Sequence, residues 1–362
     1  MDPPSGRAQP LYFVNAFVDF ALIGGLSIAT FTLLRLFYTG ERTSDIITLS
    51  VQLAWICNWP HASATIYRLY GSRENVAQYP MTALVIPWVV VAGLAACFFS
   101  PTVVAPCFVK LNAFWSPYHF AGQSLGISLI YARRAGFEFG AAERFALSTF
   151  LYSIFVAQAV RFETGWQILD QQGLSYPSLG LPAWLDHAAQ AWLLVAGLGL
   201  LGVLARRCVR DRRLMPPIIL LPVLTHLVWF LPGASWRSFG EFVPFFHGMQ
   251  YLLVAWSMQL KEKLDREGVA PSAGYVLSES ARWGLLNFLG GVALFYGVPR
   301  LLAGFGTPLA FSIAVVSSAV QLHHFFVDGV IWKLRRSAVS SPLMAGLDDL
   351  LHAPRTPRAL PA

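Results

Sequence analysis

Apolar residues run in long stretches along this chain instead of alternating with polar ones. Windows of roughly twenty mainly apolar residues, the length a helix needs to cross the hydrocarbon core of a bilayer, recur from end to end. Pro, Gly and charge clusters punctuate them at 11–38, 46–70, 81–104, 107–132, 144–163, 183–205, 214–232, 241–260, 279–302 and 307–332. The pattern predicts an all-α fold, a polytopic transmembrane helix bundle of about ten spans occupying 11–336. A polar segment at 1–10 precedes it, and a tail at 337–362 with Pro342, Pro354, Pro357 and Pro361 is expected to be flexible. The first run is too long for the apolar region of a signal peptide and reads as a retained first helix. Between spans five and six, 164–182 carries Asp170, Gly173, Pro177 and Gly180, the residues of an ordered, turn-rich loop.

Composition agrees with this pattern. Of 362 residues, 56% are hydrophobic and 12% charged, about half the charged share of an ordinary soluble domain. The net charge of +7 is explained by its distribution. Arg133, Arg134 and Arg144 follow span four, Arg206 to Arg213 follow span six, Lys261 to Arg266 follow span eight, and Lys333, Arg335 and Arg336 follow span ten. Arg68 and Arg73 after span two fall on the same side, whereas Arg35 and Arg42 dissent. Lys and Arg gather in cytoplasmic loops, so both termini are expected in the cytoplasm. No basic stripe with interleaved aromatics suggests nucleic acid as a partner. Cys57, Cys97, Cys107 and Cys208 are scattered and suggest neither a disulfide framework nor a thiolate metal site.

The chemistry lies where lipid should be. An ionisable group inside a span costs about 2.5 kcal/mol or more on insertion scales, so it faces the bundle interior and marks a task. Span two holds Asn58, Pro60, His61, Thr65 and Arg68, with His61, Thr65 and Arg68 on one helical face. Span four places His119 one turn before Gln123. Span eight sets His247 beside Gln250 and Tyr251. In span ten His324 and Asp328 share a face, with His323 alongside. Spans two, four, eight and ten run in the same direction, so their imidazoles can lie at similar depth. A neutral imidazole is a common metal ligand, and helix bundles build metal centres from facing helices. His226 in span seven reads instead as a packing residue, His187 as interfacial, and His352 as part of the tail. Pro60 and Pro117 either open the helix wall near two histidines or are ordinary membrane-helix prolines. Phe245–Phe246 and Phe325–Phe326 read as packing.

An all-imidazole set with one carboxylate and no Cys suits iron, copper or zinc. Two facing histidines also suit haem. The Glu and E-x-x-H pairs of soluble diiron bundles are absent, as is the H-x-x-x-H pattern of membrane desaturases, which disfavours a diiron site. In chain order, Pro60-His61, His119-Phe120, His247, and His323 with Asp328 five residues on resemble the spaced histidine motifs of the Brp/Blh-type beta-carotene dioxygenases, polytopic bacterial membrane enzymes. The chain departs from that family at Thr65 and at Gln123 or Ser124, where the family carries acidic residues, and at Tyr251, where it carries a second histidine.

The resemblance implies non-haem iron in a bacterial plasma (inner) membrane protein, and an oxygenase using O2 on a hydrophobic small molecule, carotenoid-like or acyl. It implies His61, His119, His247 and His323 as ligands, with His324 competing for the last place. Asp328 and Gln123 would orient the ligands, and Tyr251 joins them as a candidate catalytic side chain. Two other readings stand beside it: a proton-coupled transporter with His324, Asp328, Arg68 and His119 as a relay, and a non-catalytic haem- or lipid-binding membrane component.

Overall fold

The computed structural model describes residues 10–38, 43–171, 173–234, 237–332 and 341–352. Arg42, Lys333, Arg335 and Arg336, residues 1–9 and the tail prolines at 354, 357 and 361 lie outside them. The described chain is helical apart from one two-stranded hairpin.

Among the described residues, six helices are long and apolar enough to cross a membrane: α1 (Ala16–Phe37), α4 (Met81–Phe99), α6 (Ala141–Glu163), α7 (Ala183–Asp211), α10 (Ala273–Ala303) and α11 (Leu309–Ile331). Large apolar side chains such as Phe37, Trp88, Phe99, Leu194 and Leu289 project outward from these helices, as lipid-facing surfaces require. The other four apolar windows take different forms. Window 46–70 breaks at 55–57 into α2 (Thr43–Ala54) and α3 (Asn58–Tyr70). Window 107–132 lies inside α5 (Val104–Arg134), whose 31 residues extend about 46 Å. Pro216 and Pro217 delay the seventh, leaving only the short α8 (Leu221–Phe230). The eighth becomes α9 (Val243–Glu267). At 13 residues α3 is too short to cross alone, and α5 and α9 fall short in apolarity because they carry inward-facing His, Gln, Asn and Ser side chains.

α3 lies among α9, α10 and α11, while α5 packs against α6, α8 and α11. Two glycines bring α3 close to its neighbours. A Cβ at Gly248 of α9 would stand 2.9 Å from the Cys57 backbone carbonyl, and one at Gly291 of α10 would stand 2.7 Å from the Trp59 carbonyl carbon. Only small residues permit such approach of helix backbones. Pro60 falls in the first turn of α3, where its missing N–H breaks no helical hydrogen bond. Pro117 sits inside α5, which continues through it.

The loop at 164–182 contains strands β1 (Ile168–Gln171) and β2 (Leu174–Pro177), paired antiparallel with Leu169 opposite Tyr176. Gly165, Gly173 and Gly180 adopt positive φ in its turns.

At the opposite end of α5, the buried Arg134 guanidinium donates to the carbonyls of Leu11, Tyr12, Leu343 and Ala345. Leu347 N–H donates to Phe13 O, and the short helix α12 (Leu347–Leu351) follows. Residues 341–352, read from sequence as part of a flexible tail, therefore dock on the N-terminal segment. A buried guanidinium needs several acceptors at once, and the two chain ends supply them.

Candidate metal centre

Four helices each contribute one imidazole to a common point. His61 stands in the first turn of α3, His119 midway along α5, His247 in the first turn of α9 and His324 in the second half of α11. One ligand atom from each lies within 4.8 Å of those from the other three. The Nε2 of His119 is 3.2 Å from that of His247 and 3.2 Å from that of His324. The His61 ring lies 4.8 Å from the His247 ring and 4.4 Å from the His324 ring, centroid to centroid. The close pass of Gly248 against the Cys57 backbone produces the His61–His247 juxtaposition, since each histidine lies within four residues of that contact.

All four rings are buried: His61 is 2% exposed, His247 1%, His324 1% and the His119 side chain 8%. Among the described residues, His61 Nε2, His247 Nδ1 and His324 Nδ1 meet no hydrogen-bond partner. His119 Nε2 faces two other Nε2 atoms at once. A ring nitrogen carries one proton or one lone pair, so it cannot pair fully with both neighbours. A shared cation would satisfy every nitrogen that faces it. With metal–nitrogen bonds of about 2.1 Å, adjacent ligands on one ion stand about 3 Å apart, and the 3.2 Å separations match. The residues present therefore fit a metal ion.

Asp328, one turn after His324, completes the surroundings. Its Oδ2 is 3.6 Å from His324 Nε2, 3.7 Å from His119 Nε2 and 3.9 Å from His61 Nε2. Its Oδ1 is held by hydrogen bonds from Thr65 Oγ1 at 3.1 Å and Trp332 Nε1 at 3.2 Å. The carboxylate thus has one anchored oxygen and one turned towards the imidazoles. The Thr65 and Tyr251 hydroxyls are 2.6 Å apart, and the Tyr251 ring lies 4.1 Å from the His61 ring.

Other residues expected at the centre take different places. His323 is outside the four-histidine group; its Nε2 is 3.5 Å from the hydroxyl of Tyr70, which itself donates to Ala83 O. His324, one residue on, is the one that joins the group. Gln123 donates to His247 O at 3.0 Å and Gln250 Oε1 at 3.3 Å, so it braces the α9 backbone and not an imidazole. Gln250 in turn donates to Ile23 O, in the wide turn at Ala21–Gly25 of α1. Arg68 forms a two-point pair with Glu262 at 3.0 and 3.1 Å, away from the histidines. His226 is buried against Trp229 and Phe230, and His187 lies near Ala183 O.

Sequence reasoning placed Thr65 on the His61 face without assigning it to Asp328, and missed Trp332 altogether. An i, i+4 spacing from Asp328 to Trp332 was the available signal. A cavity of about 310 Å3 opens beside the group, with His119, Gln123, Tyr251 and Asp328 in its wall and Trp115 and Phe325 among its aromatic lining. No known protein family, curated protein or solved structure matches this chain.

Proposed function

We propose that this protein is an integral membrane metal-dependent oxidoreductase, a non-haem iron oxygenase acting on a lipid-soluble substrate. In this reading about ten segments span a bacterial plasma membrane, the short and polar helices among them, and both termini lie in the cytoplasm. His61, His119, His247 and His324 hold the metal. The observation that carries the proposal is the convergence of four buried imidazoles from four helices beside a cavity with six aromatic side chains in its wall.

Nitrogen donors with one flanking carboxylate suit a redox-active first-row metal such as iron or copper. Haem suits the geometry poorly. A macrocycle would have to pass between imidazoles whose ligand atoms all lie within 4.8 Å of one another. When bound, the metal would supply electron transfer and Lewis acidity next to the cavity. The protein's own groups do the rest. Aromatic walls exclude water and receive an apolar molecule. Thr65 and Trp332 hold Asp328 so that Oδ2 faces the three Nε2 atoms, and the Tyr251 hydroxyl, in the cavity wall, pairs with Thr65.

The test is elemental mass spectrometry and an optical spectrum of protein purified in detergent without a histidine tag. About one iron per chain with no haem band is expected. Metal content should fall in His61→Ala, His119→Ala and His247→Ala. Stoichiometric metal in all three variants, or none in the folded parent, overturns the proposal. The contact of Asp328 with three imidazoles favours a proton-relay carrier as the second reading; pH-dependent transport by metal-free protein would establish it.

A further inference from the structure

The β1–β2 hairpin is apolar on both faces. Cross-strand partners lie on the same side of a hairpin, and successive residues alternate between its sides. Leu169 and its partner Tyr176 therefore share one face, and Ile168 and its partner Pro177 share the other. The first face packs inward: Tyr176 is buried with Val109 of α5 and Ala314 of α11, and Leu169 and Leu174 join them. An antiparallel pair with one covered face normally turns polar residues outward. Here the pairing continues past the strand ends, with Ser178 N–H donating to Gln167 O, so Trp166 and Leu179 fall on the side of Ile168 and Pro177. Trp166 is 82% exposed, Ile168 72% and Leu179 65%, and Pro177 is exposed as well.

The backbone that presents this apolar face is held in place. Trp166 lies across Gly180, where a Cβ would stand 2.8 Å from the indole. Beneath the hairpin, the Glu163 carboxylate accepts from Lys110 Nζ at 2.8 Å and from Leu179 N–H at 2.6 Å, and Lys110 also donates to Pro177 O at 2.9 Å. The strands are thus tied to the end of α6 and to α5.

The position of the hairpin indicates what covers its outward face. The 23 residues of α6 extend about 34 Å, close to the roughly 30 Å of hydrocarbon that a span must cross. Its end at Glu163 therefore falls at the headgroup boundary, and the hairpin follows directly. Exposed Phe162 in the last turn of α6 and exposed Trp184 in the first turn of α7 continue the apolar surface onto two helices fit to span a membrane. Asp170 is the only charged residue in 164–182, and it sits near the hairpin tip, where it accepts from Ser175 Oγ at 3.3 Å. Tryptophan is enriched at the headgroup level. The free backbone groups along the two edges of a lone hairpin exclude the hydrocarbon core itself.

We propose that the face formed by Trp166, Ile168, Pro177 and Leu179 is a lipid-binding surface, seated in the headgroup–acyl boundary of the bilayer with the Asp170 end of the hairpin in water. It rests on the membrane-spanning part of the proposed function and is independent of the metal. The hairpin is then held between lipid on one face and α5 and α11 on the other. Val109 and Ala314, beneath it, each stand about 15 Å along their helices from His119 and His324, so the lipid seat caps the two helices at equal distances from their histidines.

The experiment is tryptophan fluorescence of the full-length protein in phosphatidylcholine nanodiscs, with lipid brominated near the glycerol end of its acyl chains in one set and near their methyl ends in another. Subtracting the emission of Trp166→Phe from that of the parent isolates Trp166. This component is expected to be blue-shifted, to lose most of its intensity to the first lipid and less to the second, and to resist iodide added to the water. Trp192, exposed on α7 about 12 Å along the helix from Trp184, is isolated in the same way by Trp192→Phe and should prefer the methyl-end bromine. If Trp166→Phe does not fold, Leu179→Trp in the parent should add a component quenched as Trp166 is. Iodide quenching without lipid quenching places the face in water and overturns the proposal. Shielding from both places it against protein, a second copy of the chain included, and stronger quenching by the methyl-end bromine places it too deep; each overturns the proposal too. Lipid quenching of Trp192 in any of these cases leaves the membrane-spanning reading standing, and its absence removes that reading as well.

Discussion

At the residue scale, Asp328 is the side chain on which the centre's charge depends. Asp328→Asn keeps an oxygen for Thr65 and Trp332 but removes the negative charge 3.6–3.9 Å from three imidazole nitrogens. Metal affinity, measured by chelator competition, should fall about 10- to 100-fold with the fold intact. Thr65→Val removes the hydrogen bond to that carboxylate and the one shared with the buried Tyr251 hydroxyl, and should cost about 2 kcal/mol, with a smaller loss of affinity. His323→Ala provides the contrast: its ring pairs with Tyr70 and not with the four histidines, so metal content should match the parent. The choice between His323 and His324 could not be made from sequence. Adjacent residues project about 100° apart on a helix, and α11 is apolar almost all round, leaving no stripe to show which side faces inward.

At the scale of elements, the placement of α3 decides whether the centre exists. Its first turn carries His61, and it is clasped by Gly248 of α9 and Gly291 of α10. Gly248→Ala and Gly291→Ala should each push α3 outward, destabilising the protein by about 1–3 kcal/mol in thermal unfolding. Gly248→Ala should also lower metal stoichiometry, because its Cβ would drive α9 away from the segment leading to His61. Ten apolar windows were legible in the sequence, yet among the described residues only six helices meet the length and apolarity of a membrane crossing. The shortfall has a physical source. Span two breaks into two helices of 12 and 13 residues, and spans four and eight hold polar residues of the site that lower their hydropathy. The break at 55–57 was not signalled within an otherwise apolar stretch, although Pro60 marks the helix start that follows it.

Across the whole molecule, the two chain ends are tied together through α5. Arg134 reaches four backbone carbonyls, while the buried Asp19 carboxylate accepts from Phe13 N–H, Val14 N–H and the Tyr131 hydroxyl. Arg134→Ala should therefore destabilise the protein by roughly 3 kcal/mol or more, since several buried acceptors lose their donor together. Arg134→Lys should not restore stability, because an ammonium cannot reproduce the planar, five-donor fork. Differential scanning calorimetry of both variants checks this; parent-like unfolding of Arg134→Ala would show that the clamp contributes little. Arg134 entered the sequence reading only as one of a basic cluster. Nothing in its local sequence distinguishes it from Arg133, its neighbour in the last turn of the same helix.

Hydrophobicity is a property of each residue, so the sequence alone determined that the chain is helical, apolar and supplied with ionisable groups at a few depths. Rotation of each helix about its axis is not such a property. In lipid, an apolar face gains nothing by turning towards another apolar face, and close packing at Gly248, Gly291 and the chain-end clamp fixes the orientations instead. Only the tertiary structure could therefore bring His324 and not His323 into the four-histidine group and assign Thr65 and Trp332 to Asp328.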